Sequence, residues 1–556
     1  MKNILSFLVG SRQRALTIAF GATLGLGACE VTDLQPKNVL SETAVYNDPA
    51  RVALAVAGVY NSAQSGFYDP LNGSGLVVRG YPFGAATNAL DDARGEDVSD
   101  MAGFFSLVFA NTFTSSSPNV VNIWSNAYAV INQANVTIEG IKQAQAAGVI
   151  TAADELIYEG ELRFLRALAH HELVMHFSRP FTDGNGSAIG VPYRDFAVNT
   201  PASVAQARAL ARGTVADDYT KMLADLDFAE TNLPVTRSIS GAVAPSVTRA
   251  TKAAAVALKQ RIRLHQANWA AAVTEGNKLI SGTTTFTSPT SIGTYSLMPT
   301  QRAAFPGGAT TTAENVFSVE NSAADNPGVN GALANVYGSS AAPANGGING
   351  RALLAVSPNL YNASFFTCND LRRTVMMQPD GVRPCYVIKK YTDAATSSDF
   401  APIIRYAEVL LNQAEALART GTNDALALRL LNAVRNRSVT TDGDQYAAGS
   451  LTGTSLVRAI LNERRIEFIG EGKRWGDISR LSPDATYSPV SGGGIPAKFN
   501  GTVGGQVTLA RYACGNTSLL TGQLVSPVVY TSSLFLWPIP QLEIANNPSV
   551  TQNPGY

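Results

Sequence analysis

The stretch "ILNERRIEFIGEGKRWGDISRL", Ile460 to Leu481, sets three glutamates, Glu463, Glu467 and Glu471, four residues apart. In a helix that spacing puts all three on one face. Arg464, Arg465, Lys473 and Arg474 are interleaved with them. Two readings compete. A glycoside hydrolase needs two carboxyls about 5–9.5 Å apart, one of them with a raised pKa. The interleaved bases instead keep the acids ionised, and a ladder of ion pairs on the helix surface gives the same spacing. We therefore expect a scaffold helix, with Trp475 and Asp477 as packing and capping residues just beyond it.

Working outward, helical periodicity recurs in pairs. Val120–Gln145 and Ala152–Phe177 are two long helices joined by a turn around Gly148, which makes an antiparallel hairpin. Val215–Leu233 ends at Pro234. Lys252–Ile280 contains its own turn near Asn268, and Ile403–Thr420 precedes Asp424–Ser438. Arg51–Gln64 is a further apolar helix. Alanine and glycine at the crossings are what tetratricopeptide-like helix pairs require, since small residues let helices approach closely. The pairs lack strict 34-residue register. Long blocks rich in Gly, Ala, Ser, Thr, Asn and Pro interrupt them, near 66–118, 281–356 and 483–533, with one strand-like run at Asn315–Glu320. The fold class expected is mainly α, helix pairs with a large irregular loop-rich face and few short strands. Structureless blocks of that length are usually functional loops.

The chain has 556 residues, 45% of them apolar, and equal numbers of basic and acidic residues, 42 each. Residues 1–28 hold Lys2, Arg12 and Arg14 and no acid, followed by the uncharged run "ALTIAFGATLGLGA". That is a charged n-region and an apolar h-region of a signal peptide, too short to stay as a membrane span. Its removal leaves 39 basic against 42 acidic residues, a balance that gives nucleic acid no basic face to meet. Leu26-Gly27-Ala28-Cys29 resembles a bacterial lipobox, in which the cysteine carries the lipid. Domain organisation follows: residues 1–28 a lipoprotein leader, 29–44 a tether, 45–556 one domain.

Three further cysteines remain. Cys368 and Cys385 close a short loop and are the favoured disulfide, leaving Cys514 single. Nothing has CxxC spacing. In "HHELVMH", His171 and His176 are one residue too far apart for HExxH, and an i, i+5 pair points to different helix faces, so no metal centre or other cofactor is expected. No GxxxxGK[ST] loop or GxSxG elbow is present.

The opening stretch, followed by "LWPIPQLEIANNPSVTQNPGY" (Leu536–Tyr556), closely resembles the SusD/RagB family of outer-membrane nutrient-uptake lipoproteins. "RYAEVLLNQAEAL" before "LNAVRNR", "GELRFLRALAHHELVMHFSRPF", "ADLDFAETNLP" and "DLQP" extend the resemblance in family order over essentially the whole mature chain. It implies four tetratricopeptide-like helix pairs under a loop-rich face. It also implies a non-enzymatic lipoprotein, anchored through Cys29 to the outer membrane and facing the exterior, that binds an oligosaccharide or other small nutrient. Such a protein caps a SusC-like, TonB-dependent transporter. A glycoside hydrolase and a purely protein-binding scaffold are the alternatives.

A sugar has polar edges and apolar faces, so its site combines aromatic rings with carboxylate, amide or guanidinium groups. Phe67–Phe105 offers that mixture in Tyr68, Arg79, Tyr81, Phe83, Asp92, Arg94 and Phe105. The resemblance adds the mid-chain insertion, with Tyr295 and Tyr337. All four tryptophans, Trp124, Trp269, Trp475 and Trp537, fall in scaffold or C-terminal segments. A wide tryptophan platform for a helical polysaccharide is therefore not expected.

Overall fold

The computed structural model describes residues 42–65, 83–84, 87–237, 247–342 and 349–556. The leader, Cys29 and the start of the tether lie outside them. Helices that carry the architecture are α1 (Pro49–Ser65), α2 (Thr87–Arg94), α3 (Pro118–Ala146), α4 (Ala152–Phe177), α5 (Val215–Asn232), α6 (Lys252–His265), α7 (Trp269–Leu279), α8 (Tyr406–Thr420), α9 (Asp424–Arg435), α10 (Gly453–Glu467) and α11 (Arg474–Leu481). Among the described residues no helix is long and apolar enough to cross a membrane.

Local chemistry sets the helix ends. Pro118 opens α3 at a position that needs no N–H, and the Thr151 hydroxyl caps α4 by accepting from Asp154 N. Gly148, at φ 74°, makes the turn between them. Asn268 caps α7, so the expected hairpins form where their turns were read. Each helix then packs on the next in order, α3 on α4, α4 on α5, α5 on α6, α6 on α7. α7 packs on α8 across the whole intervening insertion, and α8 on α9 and α10. These are tetratricopeptide-like pairs. At the α7–α8 crossing a Cβ on Gly276 would fall 1.9 Å from the Gln413 side chain and push it off its hydrogen bonds to Val273 and Asn277.

The insertion is more ordered than its composition suggests. β2 (Asn315–Val319) is the expected strand, and it pairs antiparallel with β6 (Ala401–Arg405). Residues 403–405 were expected to begin a helix. They are strand instead, because a fully buried strand shows the same unbroken apolar run as a buried helix. A second sheet has the order β1-β3-β5-β4, from Val98–Asp100, Leu354–Val356, Tyr386–Ile388 and Met377–Pro379. A two-stranded ribbon, β7 (Gly494–Ile495) with β8 (Val528–Val529), lies in the last irregular block. The block near 66–118 also contains α2 and β1, so it is only partly loop.

The three glutamates of the opening stretch are ion-paired as expected but do not lie on a surface. Glu463, Glu467 and Glu471 are each 2% exposed or less, and α10 ends at Glu467. Their partners come from distant segments. Arg372 donates to Glu463 (2.5 Å) and Glu467 (3.2 Å), Arg437 to Glu467 (3.0 Å), and Lys390 to Glu471 (2.5 Å). Arg405 joins Glu314, Glu467 and Glu471. The neighbouring bases turn elsewhere: Arg464 to Asp477 (2.8 Å), Arg465 to Asp97 (2.5 Å), Arg474 to Glu96 (2.6 Å). A surface ladder fails because insertion and scaffold cover the helix together. Asp477 is an ion-pair residue that also holds Arg480 (2.8 Å).

Burial opposes charge on Glu467, but Arg437, Arg405 and Arg372 outweigh it and hold its carboxyl down to about 2. Asp477 is held at about 2 by Arg464 and Arg480, again against burial. A depressed carboxyl stabilises the fold above the ordinary value near 4, and that stabilisation is lost as pH falls toward 2. The thermal midpoint should therefore fall steeply between pH 4.5 and 2, and less steeply in Glu467→Gln, as scanning calorimetry across that range would measure. Removing one member of a buried network strands its partners, so Arg405→Ala should cost about 3–5 kcal/mol by chemical denaturation.

Candidate functional site

The C-terminal end of α1 meets the mid-chain insertion at a cleft of about 190 Å³. Its apolar floor is Ala63, Phe83, Leu165, Leu168, Phe317 and Val319. Two amides hold the insertion in place. Gln64 Nε2 donates to the Glu320 carbonyl (3.0 Å), Asn321 Oδ1 (3.0 Å) and the Asp325 carbonyl (3.1 Å), and Asn61 Nδ2 donates to the Asp325 carboxylate (3.2 Å). The wall opposite is a buried charge cluster. Glu161, with no exposed surface, accepts from Tyr60 Oη (2.8 Å), Arg237 Nε (2.9 Å) and Arg249 Nε (2.5 Å). Burial, then the Glu161 charge, pushes the Tyr60 hydroxyl pKa up, which keeps it a neutral donor. The Arg249 guanidinium lies 4.7 Å over the Tyr60 ring, and its Nη2 is buried without a hydrogen-bond partner among the described residues.

Comparison with known proteins adds the family. One family model, described as the SusD family, matches residues 377–556. Another, a SusD-like model described as starch-binding and associating with the outer membrane, matches residues 91–264. The chain belongs to the SusD family. The SusD-like protein P2 of Formosa agariphila is 24% identical over 500 residues, covering 82% of this chain and 88% of that protein. A SusD superfamily protein from Bacteroides fragilis shares the fold with a TM-score of 0.70 and 25% identity, covering 91% of this chain and all of that one. A laminarin-binding SusD-like protein does so at 0.64 and 19% identity, over 92% of this chain and all of the other.

Within this SusD-family fold the expected ligand residues separate. Phe83 lines the cleft. Tyr68, Arg79 and Tyr81 lie outside the described residues. Asp92, Arg94, Phe105 and Tyr337 are all 3% exposed or less and are corrected from ligand contacts to interior groups. Asp92 accepts from Tyr337 Oη (2.8 Å), Gly470 N (2.8 Å) and Gly472 N (3.1 Å), and burial raises its pKa to about 8. Arg94 stacks 3.4 Å over Trp475 and donates to the Phe535 carbonyl (2.6 Å). Phe105 packs in the core. Tyr295 is buried as well. Asn61, Gln64, Arg249, Glu320 and Asp325 were missed. Their one sequence signal was "NSAQS", a polar end to an otherwise apolar helix.

His171 and His176 do face apart: His171 lies beside His265 (4.9 Å), while His176 stacks on Trp537 (4.1 Å). The pair that converges is Glu172 with His176, joined by Asp91 from α2. His176 Nε2 lies 2.8 Å from Asp91 and 3.2 Å from Glu172, a grouping compact enough to raise a metal. The Arg94 guanidinium, 3.5 Å from His176 Nδ1, can only donate. Burial opposes charge on the His176 ring, but Asp91 and Glu172 outweigh it and raise its pKa. That is a buried, hydrogen-bonded charge cluster joining α2 to α4.

The cysteines pair differently from the expectation. Cys368 bonds Cys514, 146 residues away, and Cys385 is a buried free thiol. β4 and β5 form a hairpin whose turn directs Cys385 inward, among Phe499, Val507 and Tyr512, so nearness in sequence does not bring it to Cys368. Burial raises its thiol pKa to about 12. Alkylating the denatured, unreduced protein should label Cys385 and neither Cys368 nor Cys514 by peptide mapping. Cys514→Ser should lower stability by about 2–5 kcal/mol.

Proposed function

We propose that this protein is a surface lipoprotein that captures an oligosaccharide at the cleft and delivers it to a SusC-like, TonB-dependent transporter beneath it. In this reading residues 1–28 are the leader, Cys29 carries the lipid, residues 29–44 are the tether, and 45–556 form one binding body on the outer membrane. The observation that carries the reading is the cleft itself. An apolar floor with a phenylalanine edge, ringed by amide, carboxylate and guanidinium groups, matches the mixed surface of a sugar. Family membership supports it, as do the names of two neighbours by fold, a putative sugar-binding protein from Bacteroides vulgatus and the laminarin-binding protein. Binding without catalysis fits the chemistry of Glu463, Glu467 and Glu471. Their carboxyls are enclosed in ion pairs, and Glu467 is held far too acidic to act as a proton donor near neutrality.

Calorimetry of residues 29–556 against a panel of oligosaccharides should find a ligand. Asn61→Ala and Phe83→Ala should each weaken it about tenfold, equivalent to about 1.4 kcal/mol. Release of reducing sugar by the purified protein would contradict the binding role. In cells, Cys29→Ala should lose the outer-membrane fraction once the neighbouring transporter is deleted; retention there would refute the anchor.

A further inference from the structure

Resting on the glycan reading just given, we propose that the cleft takes one terminal residue of a neutral glycan and discriminates against acidic sugars. In this assignment Arg249 is the donor, and Glu320 and Asp325 are the acceptors that set specificity.

Size argues for a single residue. Sites for drug-sized ligands run to about 300–1,000 Å³, whereas this one is about 190 Å³. Phe83, Leu165, Leu168 and Phe317 give it an apolar lining. A space of that size holds one sugar residue and not a long chain.

The donor is already built. Arg249 is 8% exposed, and its Nε is spent on Glu161 (2.5 Å). Beside it on the guanidinium, Nη2 is buried and without an acceptor among the described residues. A buried donor left unmatched is costly, so an oxygen arriving there removes a standing penalty. Ring and hydroxyl oxygens of a sugar supply it.

Charge decides which oxygen. Arg249 and Arg237 are drawn to the buried Glu161. Glu320 and Asp325 line the same cleft, and neither has a cation within 4.0 Å among the described residues, only the Thr248 hydroxyl (2.9 Å) and the Asn61 amide (3.2 Å). Three carboxylates thus face two guanidinium groups. A uronate or sulfate would bring another negative charge against two carboxylates, which costs binding energy at close range. Neutral hydroxyls donate to those same oxygens. A specificity of this kind uses repulsion of the wrong ligand as well as attraction of the right one.

The test is calorimetry of residues 29–556 with neutral gluco- and galacto-oligosaccharides, and with the same oligosaccharides carrying a terminal residue oxidised to the uronic acid. The neutral form should bind at least tenfold tighter. Glu320→Gln/Asp325→Asn, at exposed positions, should weaken neutral binding and shift the neutral-to-acidic ratio at least tenfold toward the acidic form. Arg249→Lys keeps the charge opposite Glu161 and loses the unmatched Nη2. It should weaken the neutral ligand at least tenfold, with the melting temperature recorded alongside. Equal or tighter binding of the uronate by the unaltered protein, or an unchanged ratio in the double variant, overturns the charge assignment and leaves glycan capture standing. Failure of every oligosaccharide, neutral and acidic, overturns both.

Discussion

The guanidinium of Arg405 is the contact on which the architecture turns. It is 2% exposed and reaches Glu314, Glu467 and Glu471 together. Arg405 ends β6 and stands immediately before α8. Glu314 stands immediately before β2, Glu467 ends α10, and Glu471 lies in the turn that leads to α11. One side chain therefore joins insertion, scaffold and C-terminal region. Buried charge is tolerated only when every partner is in place, so these four segments have one mutual arrangement. The register of β2 is fixed in the same act, and β2 runs directly to Glu320 and Asp325 at the cleft. Positions of rim groups at the surface are thus inherited from an ion-pair network in the interior.

The C-terminal segment closes the same body from the other side. Trp537 N donates to the His176 carbonyl (3.0 Å), and Asn553 Nδ2 donates to the carbonyls of Phe177 (2.9 Å) and Trp537 (2.7 Å). Trp475 Nε1 donates to the Met175 carbonyl (3.0 Å). The end of α4 has carbonyls without helical partners, and the two C-terminal motifs supply them. Trp124, Trp475 and Trp537 are buried, and Trp269 lies against Arg419 (4.9 Å). Tryptophan here serves packing.

Helix pairs were legible because alanine-rich periodicity and turn residues such as Gly148, Asn268 and Pro234 are local signals. The ionised state of Glu467 was legible too, since so many bases accompany it. Its partners were not. Arg372, Arg405 and Arg437 are brought in by tertiary structure, and spacing along one helix says nothing of them. Residues 403–405 were misread because burial on all sides erases the alternation that marks a strand. The cleft was nearly invisible for a related reason. Asn61, Gln64, Arg249 and Asp325 come from the ends of three separate segments, where polar residues are ordinary. In Phe67–Phe105 the aromatic and charged residues were visible, but composition does not say which side faces inward. Asp92 and Arg94 are interior.

The bond between Cys368 and Cys514 encloses α8 to α11 in a covalent ring. Cys385, only 17 residues beyond Cys368, is left out of the bond while Cys514 makes it. The bond spans 146 residues, so the whole of that scaffold lies between its ends. Seating Cys385 at 0% exposure in a small apolar cluster withdraws the competitor from exchange. The last irregular block is thus tied covalently to the chain ahead of β4, and it cannot part from the sheet even where its own packing is thin.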